Sequence, residues 1–101
     1  MIGLSRRVRV FAYTRAVDMR KQYDGLYALV VAEMKGDPLS GDLFLFTNRR
    51  RTRAKVLLWD GPCLCLYQKR LERGRFASLW RRDEPEPFEM TLFLEGSDLT
   101  P

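Results

Sequence analysis

Residues 42–70 read DLFLFTNRRRTRAKVLLWDGPCLCLYQKR, and the way this stretch divides decides the fold. It contains three short apolar segments rich in strand formers, LFLFT (43–47), AKVLLW (54–59) and CLCLYQK (63–69). Asp60-Gly61-Pro62 is a tight-turn sequence, so the second and third segments are predicted to pair as a hairpin. Between the first two lies NRRRTRAK (48–55), with five cations in eight positions and neither an acid nor a glycine. Packed arginines repel one another, and a neutral turn would connect two buried strands at lower cost. The segment is too charged to be covered, so it is expected to project into solvent and meet something outside the chain.

Upstream, RVRVFAY (7–13) alternates Val8 and Val10 against Arg7 and Arg9, which predicts a first strand with one wet face. In DMRKQYDGLYALVVAEMKG (18–36), Met19, Tyr23, Leu26, Val30 and Met34 fall at helical spacing and predict an amphipathic helix. Asp18 and Asp24 both qualify as its N-cap, and Gly25 costs the longer version about 1 kcal/mol. Gly36 suits the left-handed residue just past the helix end, and Asp37-Pro38 with Ser40-Gly41 mark a turn.

Downstream, RFASLW (75–80) reads as one more strand. PEPFEMTLFLEG (85–96) supports two readings: Phe88, Met90, Leu92 and Leu94 alternate as in a strand, yet Asp83-Glu84-Pro85 resembles a helix start. A short C-terminal helix is favoured. The predicted class is α+β, one domain over 1–101, with an antiparallel β-meander of four to five strands packed on one main amphipathic helix.

Composition bounds the function. An apolar content of 46% in 101 residues suits one folded domain with a modest core. No stretch approaches the roughly 20 apolar residues of a membrane span, and MIGLSRRVRVF has no apolar run of a secretory signal, so a cytoplasmic protein is expected. Cys63 and Cys65 are too close for an unstrained bridge and are expected to be buried, reduced thiols. Residues 1–82 hold all 18 cations and seven acids, a net +11, whereas residues 83–101 hold six acids and no cation. A basic body of this kind attracts polyanions, of which nucleic acid is the commonest. The acidic tail is expected either to dock on a basic partner or to fold over the body's own patch.

No enzyme chemistry is expected. Without a histidine there is no Ser-His-Asp or Cys-His nucleophile system, and two cysteines cannot complete a four-ligand zinc site. Asp18, Asp24, Asp60 and Glu72 are the carboxylates available for magnesium, and each has a simpler role as a cap, turn or ion-pair residue. No cofactor or metal is expected. DNA binding has more support. Arg49, Arg50, Arg51, Arg53 and Lys55 form one basic cluster, and Lys69, Arg70, Arg73 and Arg75 a second. If 54–59 and 63–69 pair antiparallel, residue 54 starts the hairpin where residue 69 finishes it, and the clusters meet in one phosphate-binding patch. Arg20 and Lys21 would add a third element at the start of the helix, where cations oppose the macrodipole unless an anion sits there. The rival class is a protein-interaction module that never touches DNA.

Several motifs occur together: MIGL at the start, DMRK with DGL in 18–26, DPLSGDLFLF (37–46), KVLLWDG (55–61), KRLERGRF (69–76) and LEGSDL (94–99). In this combination the chain resembles the small accessory proteins called TnpB of insertion-sequence-66-type transposable elements, continuously over residues 1–76 and again at the end. The resemblance implies a role in transposition beside a separate transposase, with that transposase and other proteins of the element as partners, whereas DNA is the partner that the basic clusters suggest. It brings no catalytic residues. An unrelated RNA-guided nuclease shares the name, and its activity does not transfer.

Overall fold

A computed structural model describes residues 8–76. They form β1 (Val10–Ala12), α1 (Tyr23–Ala32), β2 (Leu43–Thr47), β3 (Arg53–Trp59) and β4 (Leu64–Arg70). The four strands make one sheet in the order β1-β2-β3-β4, with α1 against one face.

The unbroken apolar run of β2 is used on both faces of this sheet. Phe44 and Phe46 point towards α1 and pack with Leu26, Val30, Val17 and Leu57. Leu45 points the other way, with Val10, Ala12, Ala54, Val56 and Phe76. Full burial of each such side chain is worth roughly 1.5–3 kcal/mol, so β2 is the strand on which both halves of the core depend. Strands 43–47, 54–59 and 63–69 appear within a residue of their expected bounds, and Asp60 tightens the hairpin by accepting the Cys63 N–H at 3.0 Å.

One expectation is overturned. The sheet is not an all-antiparallel meander: β2, β3 and β4 are antiparallel neighbours, but β1 runs parallel to β2, with Val10 opposite Leu43 and Ala12 opposite Leu45. The connection explains it. About thirty residues separate the two strands, and they include α1, which carries the chain across the sheet and returns it in the same direction. β1 is shorter than RVRVFAY suggested, and the face it shares with the exposed Arg9 is only partly covered. Val10 and Ala12 are buried, and Phe11 stacks on Phe44 with centroids 5.7 Å apart.

The helix ends also differ from the reading of the sequence. α1 starts at Tyr23 with Gln22 as its cap. Asp18 instead closes the turn before it, its Oδ1 accepting the Arg20 N–H at 2.9 Å while its carbonyl accepts the Lys21 N–H at 3.0 Å. At the other end the left-handed residue is Lys35, with φ 56°, rather than Gly36. Gly36 is needed for space: a Cβ there would lie 3.0 Å from the Phe44 ring and 3.2 Å from Val30. Trp59 and Leu43 are half-buried; Cys63 is exposed and Cys65 half-buried, because the hairpin end and β4 lie at one edge of the sheet. The C-terminal helix or strand expected at 85–95 lies outside the described residues, as does most of the strand expected at 75–80. Arg75 and Phe76 belong to no strand.

Candidate nucleic-acid interface

The basic segment 48–53 is a built turn. Asn48 organises it: its Oδ1 accepts the backbone N–H groups of Thr52 and Arg53 at 2.9 and 3.1 Å, and its Nδ2 donates to the Thr52 hydroxyl at 3.2 Å. The Asn48 N–H donates to the Arg53 carbonyl at 3.2 Å, and the Arg51 N–H donates to the Asn48 carbonyl at 3.1 Å. With no glycine available, Arg51 itself takes the left-handed conformation, at φ 58°. That position costs an L-residue about 1–2 kcal/mol. Arg49 and Arg50 are exposed at the tip, and Arg51 is half-buried.

The second basic segment is tied to the back of this turn. After β4, the Leu71 N–H donates to the Thr52 carbonyl at 2.8 Å, and the Phe76 N–H donates to the Arg51 carbonyl at 2.7 Å. Gly74, at φ 73°, bends the chain between these two bonds, and the fully buried Phe76 ring anchors its end. Arg73 and Arg75 are exposed on that bend. The β3–β4 register sets Arg53 opposite Arg70 and Ala54 opposite Lys69. Arg49, Arg50, Arg51, Arg53, Lys69, Arg70, Arg73 and Arg75 therefore gather at one end of the sheet, as the hairpin argument required. Arg70 also meets Glu72 at 3.4 Å on the surface, a contact of little strength.

Side-chain alternation then splits the strand residues. Arg53, Gln68 and Arg70 lie on the α1 face, beside Met19, and border a shallow groove of about 370 Å³. Lys55 is at the base of this groove and is the exception among the proposed contacts. Only 2% of it is exposed, and its ammonium donates to the carbonyls of Met19 and Lys21 at 2.9 and 2.7 Å. Burial, helped by the neighbouring Arg53 charge, pushes its pKa below the ordinary lysine value. Lys55 fastens the 18–21 turn to β3 and does not face solvent.

Arg20 and Lys21 are thereby held near the same sheet end, but they precede α1 instead of occupying its first turn. Arg20 pairs with Asp18, its Nε lying 3.1 and 3.0 Å from the two carboxylate oxygens and its second guanidinium nitrogen 2.7 Å from Oδ2. These bonds hold the Asp18 pKa down to about 2. The macrodipole is met by Asp24 inside the first turn.

The four carboxylates considered for a metal are scattered. Asp18 serves Arg20, Asp24 the helix start, Asp60 the hairpin turn, and Glu72 lies beside Arg70. Among the described residues, no three His, Cys, Asp or Glu side chains converge on a metal position. Asp60 also accepts the Cys65 thiol at 3.4 Å, which raises the thiol's pKa, and neither cysteine is bridged. Among the described residues no helix is long and apolar enough to cross a membrane.

Sequence reasoning missed Asn48, Thr52 and Phe76, the residues that shape the patch without carrying its charge. An asparagine heading a charged run is a recognisable turn former and was the available signal. It also missed a cleft of about 440 Å³ on the same α1 face at the opposite edge of the sheet, along β1 and the loop after α1. There Asp42 binds the Arg9 N–H and guanidinium at 3.1 and 3.2 Å, and Glu33 accepts Tyr13 and Arg15 at 2.7 and 2.9 Å.

Among the described residues, fold and surface together define a small α+β unit of one mixed sheet and one helix, with most of the cations at a single sheet end. The chain belongs to the family described as IS66 Orf2 like protein, which matches residues 8–100, so it is an accessory protein associated with insertion sequences. It is similar to two proteins of Sinorhizobium fredii, uncharacterized protein y4jC (38% identical over 103 residues, 99% of this chain and 88% of the relative) and uncharacterized protein y4hO (36% over 103 residues, 97% and 88%). No solved structure matches.

Proposed function

We propose that this protein acts in transposition as a non-catalytic DNA-binding accessory, gripping duplex DNA through phosphate contacts from the sheet-end patch and working beside the element's transposase. The carrying observation is that backbone geometry forces the cations together. Arg53 faces Arg70 across the ladder, and the bonds from Leu71 and Phe76 hold the 71–76 segment against the arginine turn. Like charges placed opposite each other in a sheet are destabilising, and Arg51 adds a left-handed backbone. A fold that accepts both costs is consistent with a polyanionic ligand that offsets them. The contacts proposed are Arg49, Arg50, Arg51, Arg53, Lys69, Arg70, Arg73 and Arg75, with Lys21 and Arg20 at the margin and Lys55 excluded.

The test is a binding titration over a salt series on duplex DNA from the element's ends and on random duplex. Release of counterions from about six phosphates should weaken binding roughly 10³-fold between 50 and 200 mM salt. The joint Arg49/Arg50/Arg51→Ala variant should bind more weakly and with a shallower slope. A flat salt response, or unchanged binding by that variant, would refute the proposal and favour a module that bridges proteins without touching DNA.

A further inference from the structure

α1 carries a single charge in ten residues, Asp24, in a chain where 31% of residues are charged. Leu26 and Val30 face the sheet and are fully buried. On the opposite side Ala28, Val31 and Ala32 are exposed, with Val31 keeping 48% of its surface, and the half-buried Tyr27 borders them. A helix that is apolar all round belongs in an interior, so a surface helix of this kind implies that its outer face is covered in use.

Charge at the two ends of this face indicates by what. Asp24 stands in the first turn, on one helical stripe with Ala28 and Val31, and Lys35 follows just past the last turn; Asp24 and Lys35 are both exposed. In a two-fold antiparallel helix pair, contacts are reciprocal about one central point. If that point falls midway between Leu29 and Val30, Asp24 meets Lys35 of the second copy, Tyr27 meets Ala32, and Ala28 meets Val31. One register thus places an opposite-charge pair at each end and only apolar side chains between. The small Ala28 and Ala32 allow the axes to approach to about 8 Å.

We infer that the outer face of α1 is a self-association surface on which a second copy of this chain docks antiparallel. A helix of ten residues is about 15 Å long, so the contact is smaller than a standard stable interface and the dimer is weak and reversible.

Sedimentation equilibrium of the DNA-free protein from about 10 µM to 1 mM, a span bracketing weak interfaces, should show a monomer–dimer equilibrium weakened at high salt. Ala28→Arg, an exposed change whose thermal melt should match wild type, should remain monomeric throughout. Asp24→Lys and Lys35→Asp should each weaken dimerisation at least tenfold alone. Asp tolerates the left-handed backbone at position 35. An equimolar mixture of these two variants should recover the affinity, because each heterodimer restores both opposite-charge pairs. A wild type monomeric at 1 mM, a dimer indifferent to Ala28→Arg, or a mixture no tighter than its components would each overturn the inference. Capture of a transposase segment by a monomeric wild type through Val31 would also overturn it, reassigning the face to a different partner.

Discussion

Arg51→Gly separates what the basic turn does for folding from what it does for binding. Two backbone bonds meet at this residue, from its N–H to the Asn48 carbonyl at 3.1 Å and from the Phe76 N–H to its own carbonyl at 2.7 Å, and glycine keeps both. Its left-handed backbone, at φ 58°, costs arginine about 1–2 kcal/mol and glycine almost nothing. Against this, glycine loses about 0.5–1 kcal/mol more chain entropy on folding, and the half-buried side chain gives up some packing. Removing one of several crowded cations adds a small gain. The sum lies between no change and a gain of about 0.5 kcal/mol, equivalent to a rise in Tm of about 2–4 °C for a domain of this size. Urea denaturation measures it directly. The same variant's DNA titrations should show a log–log salt slope shallower by about 0.9, the contribution of one phosphate. A loss of more than about 1 kcal/mol would show that the Arg51 side chain is structural. An unchanged salt slope would show that it contacts no phosphate.

Lys55→Met should behave in the opposite way. Losing two charge-assisted bonds to Met19 and Lys21, partly offset by no longer burying an ammonium, should destabilise by about 1–2 kcal/mol in urea denaturation, while the DNA salt slope stays at the wild-type value. Gly36→Ala should lower stability by about 1–3 kcal/mol, because its Cβ would press at 3.0 Å on the fully packed Phe44 ring; calorimetry checks it. Asp42 supplies a pH test. Burial pushes its pKa up, but hydrogen bonds from the Arg9 N–H, the Ser40 hydroxyl and the Arg9 guanidinium prevail and hold it below the ordinary 3.8. Its stabilisation is therefore fully present above pH 4 and is lost as pH falls through the folded-state pKa. Asp42→Asn should cost about 1–2 kcal/mol at pH 7, with the gap to wild type narrowing below pH 4 in pH-series melts.

The sequence by itself determined the elements that depend on near neighbours. Apolar runs of five to seven residues became β2, β3 and β4, Asp60-Gly61-Pro62 became their turn, and the hairpin's antiparallel return brought residues 53–55 to 68–70, so the union of the two basic clusters was legible before any coordinate. Each of these rests on local propensity or on a connection too short to allow another arrangement. The direction of β1 was not determined that way. A thirty-residue crossover permits either orientation on its length alone, and packing of α1 against Phe44 and Phe46 selected the parallel one. Within the patch, charge was visible but exposure was not. Lys55 and Arg53 are two residues apart on the same strand face, yet one is sealed under the 18–21 turn and the other borders the groove. Likewise Arg20 belongs to Asp18, two residues away, and not to the helix start, because a turn closes there and α1 begins three residues later. Sequence distance fixes which face a residue points from. What lies across from that face is set by segments far along the chain, and only the tertiary structure brings them there.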